Sequence, residues 1–162
     1  MKIEKYVVTM LVDNEPGVTA RVSGLFASRN YNIETICGAP TANPKMSRIT
    51  ITTAANPEQM EQIMKQLRRL VNVIKVRDMT GENAVRREMA LICVQAGKKD
   101  REEIRKLVET FRAKIVDTGA SHFIVEATGR QEKLNALINL LDPFGIKKLS
   151  RSGMLALYRE PE

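Results

Sequence analysis

The 162-residue chain is 43% hydrophobic and 28% charged, an ordinary globular composition that excludes an intrinsically disordered chain. No apolar run approaches the ~20 residues of a membrane-spanning helix, and the first residues lack the apolar core and cleavage site of a signal peptide, so we expect a cytoplasmic protein without a membrane partner. The net charge of +7 comes from 11 Lys and Arg against 7 Asp and Glu in residues 1–80 and from 15 against 12 in the remainder. This even spread favours solvated faces over a nucleic-acid site.

The first predicted elements are a strand and an amphipathic helix. Lys5–Val12 is rich in β-branched residues and predicts a strand. Asn14 is then the expected N-cap of a helix, with Pro16 in its first turn and Gly17 leaving the backbone open to a close approach. The helix ends near Arg29 and Asn30, and its apolar stripe is Val18, Val22, Leu25 and Phe26.

The remainder of the first half predicts strand, strand, helix and strand. Tyr31–Cys37 is a strand, Gly38–Lys45 a loop, and Ser47–Thr53 an alternating strand. Asn56, Pro57 and Gln59 form a capping-box signature before a helix whose stripe is Met60, Ile63, Met64 and Leu67. Val71–Met79 closes this half, with Ile74 and Val76 expected on the buried face.

Residues 80–85 break the periodicity and predict a linker between domains 1–79 and 86–162. The second half repeats the order of the first. Its strands are expected at Glu88–Ala96, Lys114–Thr118, His122–Ala127 and 144–158, the last interrupted near Ser150–Gly153. Two capping boxes are expected, Asp100 with Glu103 and Thr128 with Gln131, before helices with the stripes Ile104, Leu107, Val108, Phe111 and Leu134, Leu137, Ile138, Leu141.

This order predicts an α+β fold of two consecutive ferredoxin-like βαββαβ sandwiches, each with both helices on one face of an antiparallel sheet. The edges of such a sheet need cover. Because Tyr31–Gly38 is apolar enough to be a pairing edge, we expect a homodimer, or a higher oligomer, in which the first-half sheets join side by side.

The usual enzymatic groupings are missing. Cys37 and Cys93 have no CxxC spacing, and we expect a reduced, buried pair. His122 is the only histidine and is expected to be structural rather than a metal ligand. With no phosphate loop either, the sequence predicts no catalytic residue and no metal site.

The strand, the Asn-x-Pro-Gly turn, the phased helix and Asn32-Ile33 together resemble the opening of an ACT domain, a small-molecule sensing module of amino-acid metabolism. Over the whole chain, several segments are similar to the small, regulatory subunit of acetohydroxyacid (acetolactate) synthase: DNEPGV, GLFASRNYNIETI, GAPTANPKMSRITI, QLRRLVNVIKV, VRREMALICV, FRAKIVD with IVEATG, and SRSGMLALYRE. The resemblance implies an ACT domain followed by a second ferredoxin-like domain.

The resemblance also implies a function. Such a subunit activates a separate catalytic large subunit and mediates feedback inhibition by valine, or by isoleucine or leucine, in branched-chain amino-acid biosynthesis. Thiamine diphosphate, FAD and magnesium would then belong to the catalytic subunit, and this chain would hold no cofactor. The implied effector site joins the turn of one chain to the strand of its partner, and its residues are Asn14, Gly17, Val18, Asn32 and Ile33.

The chemistry of these residues agrees with that role. Amides at Gly17 and Val18, at a helix N-terminus, suit a carboxylate, while Asn14 and Asn32 offer oxygens to an ammonium group. Purely structural alternatives stay open for each residue. Asn14 can be only a cap, Asn32 can satisfy only the local backbone, and Val18 and Ile33 can be core.

Three rival functions follow from the same pattern. An RNA-recognition domain shares the strand order, but aromatic residues make up only 4% of this chain and Ser47–Thr53 holds none. A free-standing ACT sensor acting on another enzyme or a transcription factor is the main alternative. A catalytic role for this chain is the third.

Overall fold

A computed structural model describes residues 2–81 and 83–160. The chain divides into two compact units. Among the described residues, the first unit consists of those up to Val85 together with those from Gly153 onward, and the second is Arg86–Ser152. The predicted second domain, 86–162, therefore differs from this division at its C-terminal end, where residues from Gly153 belong to the first unit.

The elements alternate in the order expected from the sequence. The first six are β1 (Glu4–Asp13), α1 (Val18–Ser28), β2 (Thr35–Pro40), β3 (Met46–Ala55), α2 (Pro57–Leu67) and β4 (Val73–Asp78). The next six are β5 (Ala84–Gln95), α3 (Arg101–Thr110), β6 (Lys114–Thr118), β7 (His122–Gly129), α4 (Gln131–Leu141) and β8 (Ile146–Tyr158).

Each half forms one four-stranded sheet. The strand order is β2-β3-β1-β4 in the first and β6-β7-β5-β8 in the second. β1 pairs antiparallel with β3 and β4, β2 with β3, and β7 with β5 and β6. This arrangement confirms the predicted fold of two βαββαβ sandwiches, and it places β2 at an edge of the first sheet.

The first core lies between the first sheet and its two helices. Alternate residues of β1 point into it, because successive side chains of a strand face opposite ways; these are Val8, Met10 and Val12. The predicted helix stripes meet them and are confirmed: Val18, Val22, Phe26, Met60, Ile63, Met64 and Leu67 are buried, and Leu25 is partly buried.

The opposite face of the first sheet is also buried. Val7, Thr9, Thr50 and Thr52 are each at most 4% exposed. The threonine hydroxyls satisfy one another across the strands, with Thr9 Oγ1 3.0 Å from Thr50 Oγ1 and Thr35 Oγ1 2.6 Å from Thr52 Oγ1. Buried hydroxyl groups need such partners, because an unpaired one costs about 1–3 kcal/mol.

The last part of β8 covers this second face. At Gly153, an added methyl group would lie 3.4 Å from the Ile36 carbonyl oxygen on β2. At the other end, the Tyr158 hydroxyl donates to the Asp78 carbonyl of β4 at 2.9 Å. Between them, Met154 and Ala156 form a small core with Val7, Met79 and Ala84.

Residues 153–158 therefore cross the sheet from one edge strand to the other. Four strands about 4.8 Å apart span roughly 14 Å, and five extended residue steps cover roughly 16 Å, so the lengths agree. Gly153 has φ +78°, a conformation open to glycine at little cost. The interruption predicted near Ser150–Gly153 is this single residue, and the strand continues through it.

Two strand predictions were wrong in detail. β2 begins at Thr35 rather than Tyr31, so Asn32 and Ile33 precede the strand. Ile74 is 53% exposed although it was expected to be buried beside Val76. The pairing of β1 with β4 shifts between Leu11 and Val12, which leaves Ile74 outside the regular alternation.

In the second unit, α3 and α4 pack on one face of the second sheet around Ile92, Phe123 and Leu137. The predicted stripes are confirmed, with Leu107, Phe111 and Ile138 only partly buried. Neither predicted capping box forms: Asp100 makes no side-chain cap bond, and Arg130 rather than Thr128 is the N-cap of α4.

Candidate functional site

The turn between β1 and α1 is built around Gly17. The chain leaves β1 at Asp13, turns at Pro16-Gly17, and enters α1 at Val18. Gly17 has φ +85° and is itself the N-cap residue. The predicted cap, Asn14, was wrong, because the left-handed glycine starts the helix three residues later and no side chain caps it.

Asn14 instead attaches the turn to the connection between β2 and β3. Its backbone N–H donates to the Lys45 carbonyl at 2.8 Å, and its side-chain nitrogen donates to the Pro44 carbonyl at 2.9 Å. Since the side chain is bound through nitrogen, its oxygen is left as the group that can accept from a ligand.

A pocket of about 380 Å³ opens beside this turn. Its walls come from the turn, from the start of α1 and from the facing parts of β2 and β3. The lining residues are Asp13, Asn14, Glu15, Val18, Thr19, Ile36, Gly38, Ala39, Pro40, Ser47 and Ile49. Ile36 and Ile49 add apolar wall, while Asp13 and Glu15 add carboxylates, so the pocket has both an apolar side and a side that attracts an ammonium group.

The backbone at the start of α1 offers donors to an anion. The Val18 N–H is 3.5 Å from the Glu15 carbonyl, a distance too long for a strong hydrogen bond. The first amides of an 11-residue helix also carry its positive partial charge. Nothing lies within 4 Å of the position that a side chain at Gly17 would take, so the space in front of the turn is open.

The predicted residues fall into two groups within one chain. Asn14 and Val18 line the pocket, with Gly17 beside them in the turn. Asn32 and Ile33 do not line it. Asn32 is exposed and its carbonyl accepts from the Thr53 hydroxyl at 2.6 Å, whereas Ile33 packs partly buried on the first core.

Sequence reasoning missed most of the pocket wall. Ile36, Gly38, Ala39 and Pro40 were assigned to a dimer edge and a loop, and β2 in fact continues to Pro40. A small-residue run that ends a strand opposite a helix start was the available signal. Asn72 was also missed, and its neighbour Val71, which is 96% exposed, gave no sign that the next residue is buried.

The remaining candidate groups lie outside this pocket. Cys37 and Cys93 are free, as predicted, but half-buried rather than buried. His122 Nε2 lies 3.4 Å from the Asp117 carboxylate. Within residues 2–81 and 83–160, no three His, Cys, Asp or Glu side chains are grouped as metal ligands. No helix in that part of the chain is both long and apolar enough to cross a membrane.

Comparison with known proteins gives the same reading for both halves. Residues 8–75 match the family described as the AHAS small subunit-like ACT domain, and residues 87–160 match the family described as the small subunit of acetolactate synthase.

Two relatives show the similarity over the whole chain. The acetolactate synthase small subunit of Mycobacterium bovis is 42% identical over 161 residues, which is 99% of this chain and 96% of that protein. The acetolactate synthase small subunit of Bacillus subtilis is 42% identical over 156 residues, covering 96% of this chain and 91% of that protein.

A solved structure shows that the fold is shared over the same length. The acetolactate synthase small subunit from Thermotoga maritima is 40% identical and superimposes with a TM-score of 0.88, covering 98% of this chain and 99% of that one. The chain therefore belongs to the family of acetolactate synthase small subunits.

Proposed function

We propose that this chain activates the catalytic subunit of an acetolactate synthase and mediates its feedback inhibition by valine or another branched-chain amino acid. The observation that carries the proposal is full-length identity of 42% to a named small subunit, together with a pocket at the start of α1 whose walls suit an amino acid. A small subunit implies a large one, so the partner is the catalytic subunit. That subunit holds the thiamine diphosphate, FAD and magnesium, and both work in the cytoplasm, where biosynthesis takes place.

The ligand chemistry supports an amino acid. The effector's carboxylate bonds to the free amides at the start of α1, and its ammonium group meets the oxygen of Asn14 and the carboxylates of Asp13 and Glu15. The branched side chain contacts Val18 and the apolar wall of the pocket.

Asn32 and Ile33 come from the second chain of a homodimer. β2 is an edge strand of the first sheet, and an unpaired edge is a ready surface for pairing with another copy. Pairing of two copies along this edge completes the site. Regulation follows because the effector binds one arrangement of the complex more tightly than another.

The test is reconstitution with the thiamine-diphosphate enzyme of the same organism. The two proteins are expected to co-purify, acetolactate formation is expected to rise when this chain is added, and valine is expected to lower the raised activity. The isolated chain is the control and forms no acetolactate.

The alternative is a free-standing ACT sensor that acts on another enzyme or a transcription factor. That protein binds a branched-chain amino acid but neither co-purifies with the synthase nor changes its rate. A paired, folded protein that gives no binding heat with valine, isoleucine or leucine contradicts both readings.

A further inference from the structure

Asn72 is a buried residue, 8% exposed, in the turn between α2 and β4. It is not among the residues predicted for the effector site. Its carbonyl nevertheless accepts from the N–H of Asp13 at 2.9 Å, which ties it to the end of β1, one residue before the turn that carries the site.

The side-chain amide of Asn72 makes hydrogen bonds through both its nitrogen and its oxygen. Its nitrogen donates to a carboxylate oxygen of Glu15 at 3.2 Å and, more weakly, to one of Asp13 at 3.4 Å. Its oxygen accepts from the guanidinium group of Arg21 on α1. A primary amide can donate and accept in this way, whereas a carboxylate only accepts and an ammonium only donates.

These bonds fix the turn on the side away from the β2–β3 connection. Asn14 is held by Pro44 and Lys45, while Asp13 and Glu15, which line the pocket, are held by Asn72. Resting on the proposed function, we propose that Asn72 is a positioning residue of the effector site: it holds the two carboxylates and the start of α1 in the arrangement that binds the amino acid.

The direct test is Asn72→Asp, which keeps the shape of the side chain. The new carboxylate still accepts from Arg21, but it no longer donates, and it adds a third negative group beside Asp13 and Glu15. Affinity for L-valine, measured by calorimetry on the folded full-length protein, is expected to fall by about tenfold or more, because hydrogen bonds to charged groups are lost.

A positioning role also predicts what does not change. The number of valine sites given by the same calorimetry is expected to equal that of the unmodified protein, whereas partial unfolding would lower it. The charge-matched control is Asn135→Asp on α4. Asn135 accepts from Arg151 at 3.0 Å, as a carboxylate also does, so valine affinity is expected to stay unchanged.

A second variant covers the case in which Asn72→Asp does not fold. Arg21 is exposed, so Arg21→Met is expected to fold and to weaken valine binding by roughly two- to tenfold, through loss of one bond to Asn72. Unchanged affinity in a folded Asn72→Asp protein, or in Arg21→Met, overturns the positioning role alone. Absence of any branched-chain amino-acid binding by the unmodified protein overturns the proposed function with it.

Discussion

At the scale of single residues, Gly17 combines a left-handed backbone with open space. Its backbone is left-handed, with φ +85°, and open space surrounds the position of a side chain. Asparagine and aspartate tolerate this conformation better than other residues with a side chain. A carboxylate can therefore be placed at the start of α1 without a clash, where the effector's own carboxylate is proposed to bind.

Gly17→Asp is expected to remain active with the catalytic subunit and to lose feedback inhibition. The matched control is Gly17→Asn, which has the same shape and the same backbone strain of about 1–2 kcal/mol but no charge. Valine affinity of the Asp variant, measured by calorimetry, should be at least about tenfold weaker than that of the Asn variant, because like charges repel at short range. Equal affinities in the two variants would place the effector's carboxylate elsewhere.

A buried ion pair is a second feature at this scale. The Glu88 carboxylate is 2% exposed, and both its oxygens accept from Arg151, at 2.9 and 2.7 Å. The hydrogen bond to Glu88 raises the pKa of Arg151 above its ordinary value, so the guanidinium stays charged across the physiological range. Without Arg151, the buried Glu88 carboxylate would lose its partner of opposite charge.

Arg151→Met is expected to lower the free energy of unfolding by about 3–5 kcal/mol, because it leaves the Glu88 charge buried and unpaired. Lys148→Met, an exposed change on the same strand, should alter it by no more than about 0.5 kcal/mol. Thermal unfolding of the two variants, followed by circular dichroism, makes the comparison. Similar melting temperatures would mean that water already solvates Glu88.

At the scale of elements, one sequence signature gave three different outcomes. The Asn56/Gln59 capping box forms with both of its hydrogen bonds, at 3.0 and 2.8 Å. The similar Asp100/Glu103 pattern does not, because Asp100 adopts helical backbone angles and makes no side-chain cap bond. At Thr128 the strand simply continues to Gly129. Residue types indicate which cap is possible, whereas the backbone angles of the N-cap residue determine whether its hydrogen bond forms.

Asn56→Ala is therefore expected to destabilise α2 by about 1 kcal/mol, while Asp100→Ala leaves α3 nearly unchanged. Amide hydrogen exchange is the suitable measurement, because it reports each helix separately. The Gln59 amide should exchange about fivefold faster in the first variant. Equal changes at the starts of α2 and α3 would show that Asp100 caps in solution.

The strands of the first unit show that a local sequence pattern does not fix strand register or strand ends. The alternation of Ile74 and Val76 predicted one buried face, but the register of β1 against β4 shifts beside them, and a shift depends on the partner strand. The start of β2 was placed too early for a related reason: Asn32 uses its carbonyl to accept from Thr53 in an irregular segment. The helices, whose stripes are set within one segment, were predicted more closely.

At the scale of the whole molecule, the fold could be predicted, whereas the packing of residues 153–158 on the first sheet could not. The order of strands and helices is sufficient for two βαββαβ sandwiches. Residues 153–158 are the end of the last strand, and Met154 and Ala156 among them pack against Val7, Met79 and Ala84. Only the tertiary structure shows that these distant segments meet. The pocket follows the same rule, since its turn was predicted and its β2 wall was not.

Met154→Ala tests whether residues 153–158 cover the first sheet. Met154 is 7% exposed, and truncating such a side chain is expected to cost about 2–5 kcal/mol. Its neighbour Leu155 is 56% exposed, so Leu155→Ala should change stability by less than about 0.5 kcal/mol. Hydrogen exchange along β1 measures both effects. A larger effect from Leu155→Ala would mean that Leu155, rather than Met154, faces the first sheet.

The crossing strand has a consequence for biosynthesis of the polypeptide. Residues 153–158 are translated roughly 70 residues after Ala84, which takes several seconds at the usual speed of a ribosome. During that interval the face of the first sheet that carries Val7 and the threonines remains exposed to solvent. The first unit therefore completes its packing only after the second unit has been translated. A prematurely terminated chain would expose the apolar residues that Met154 and Ala156 cover, which are Val7, Met79 and Ala84.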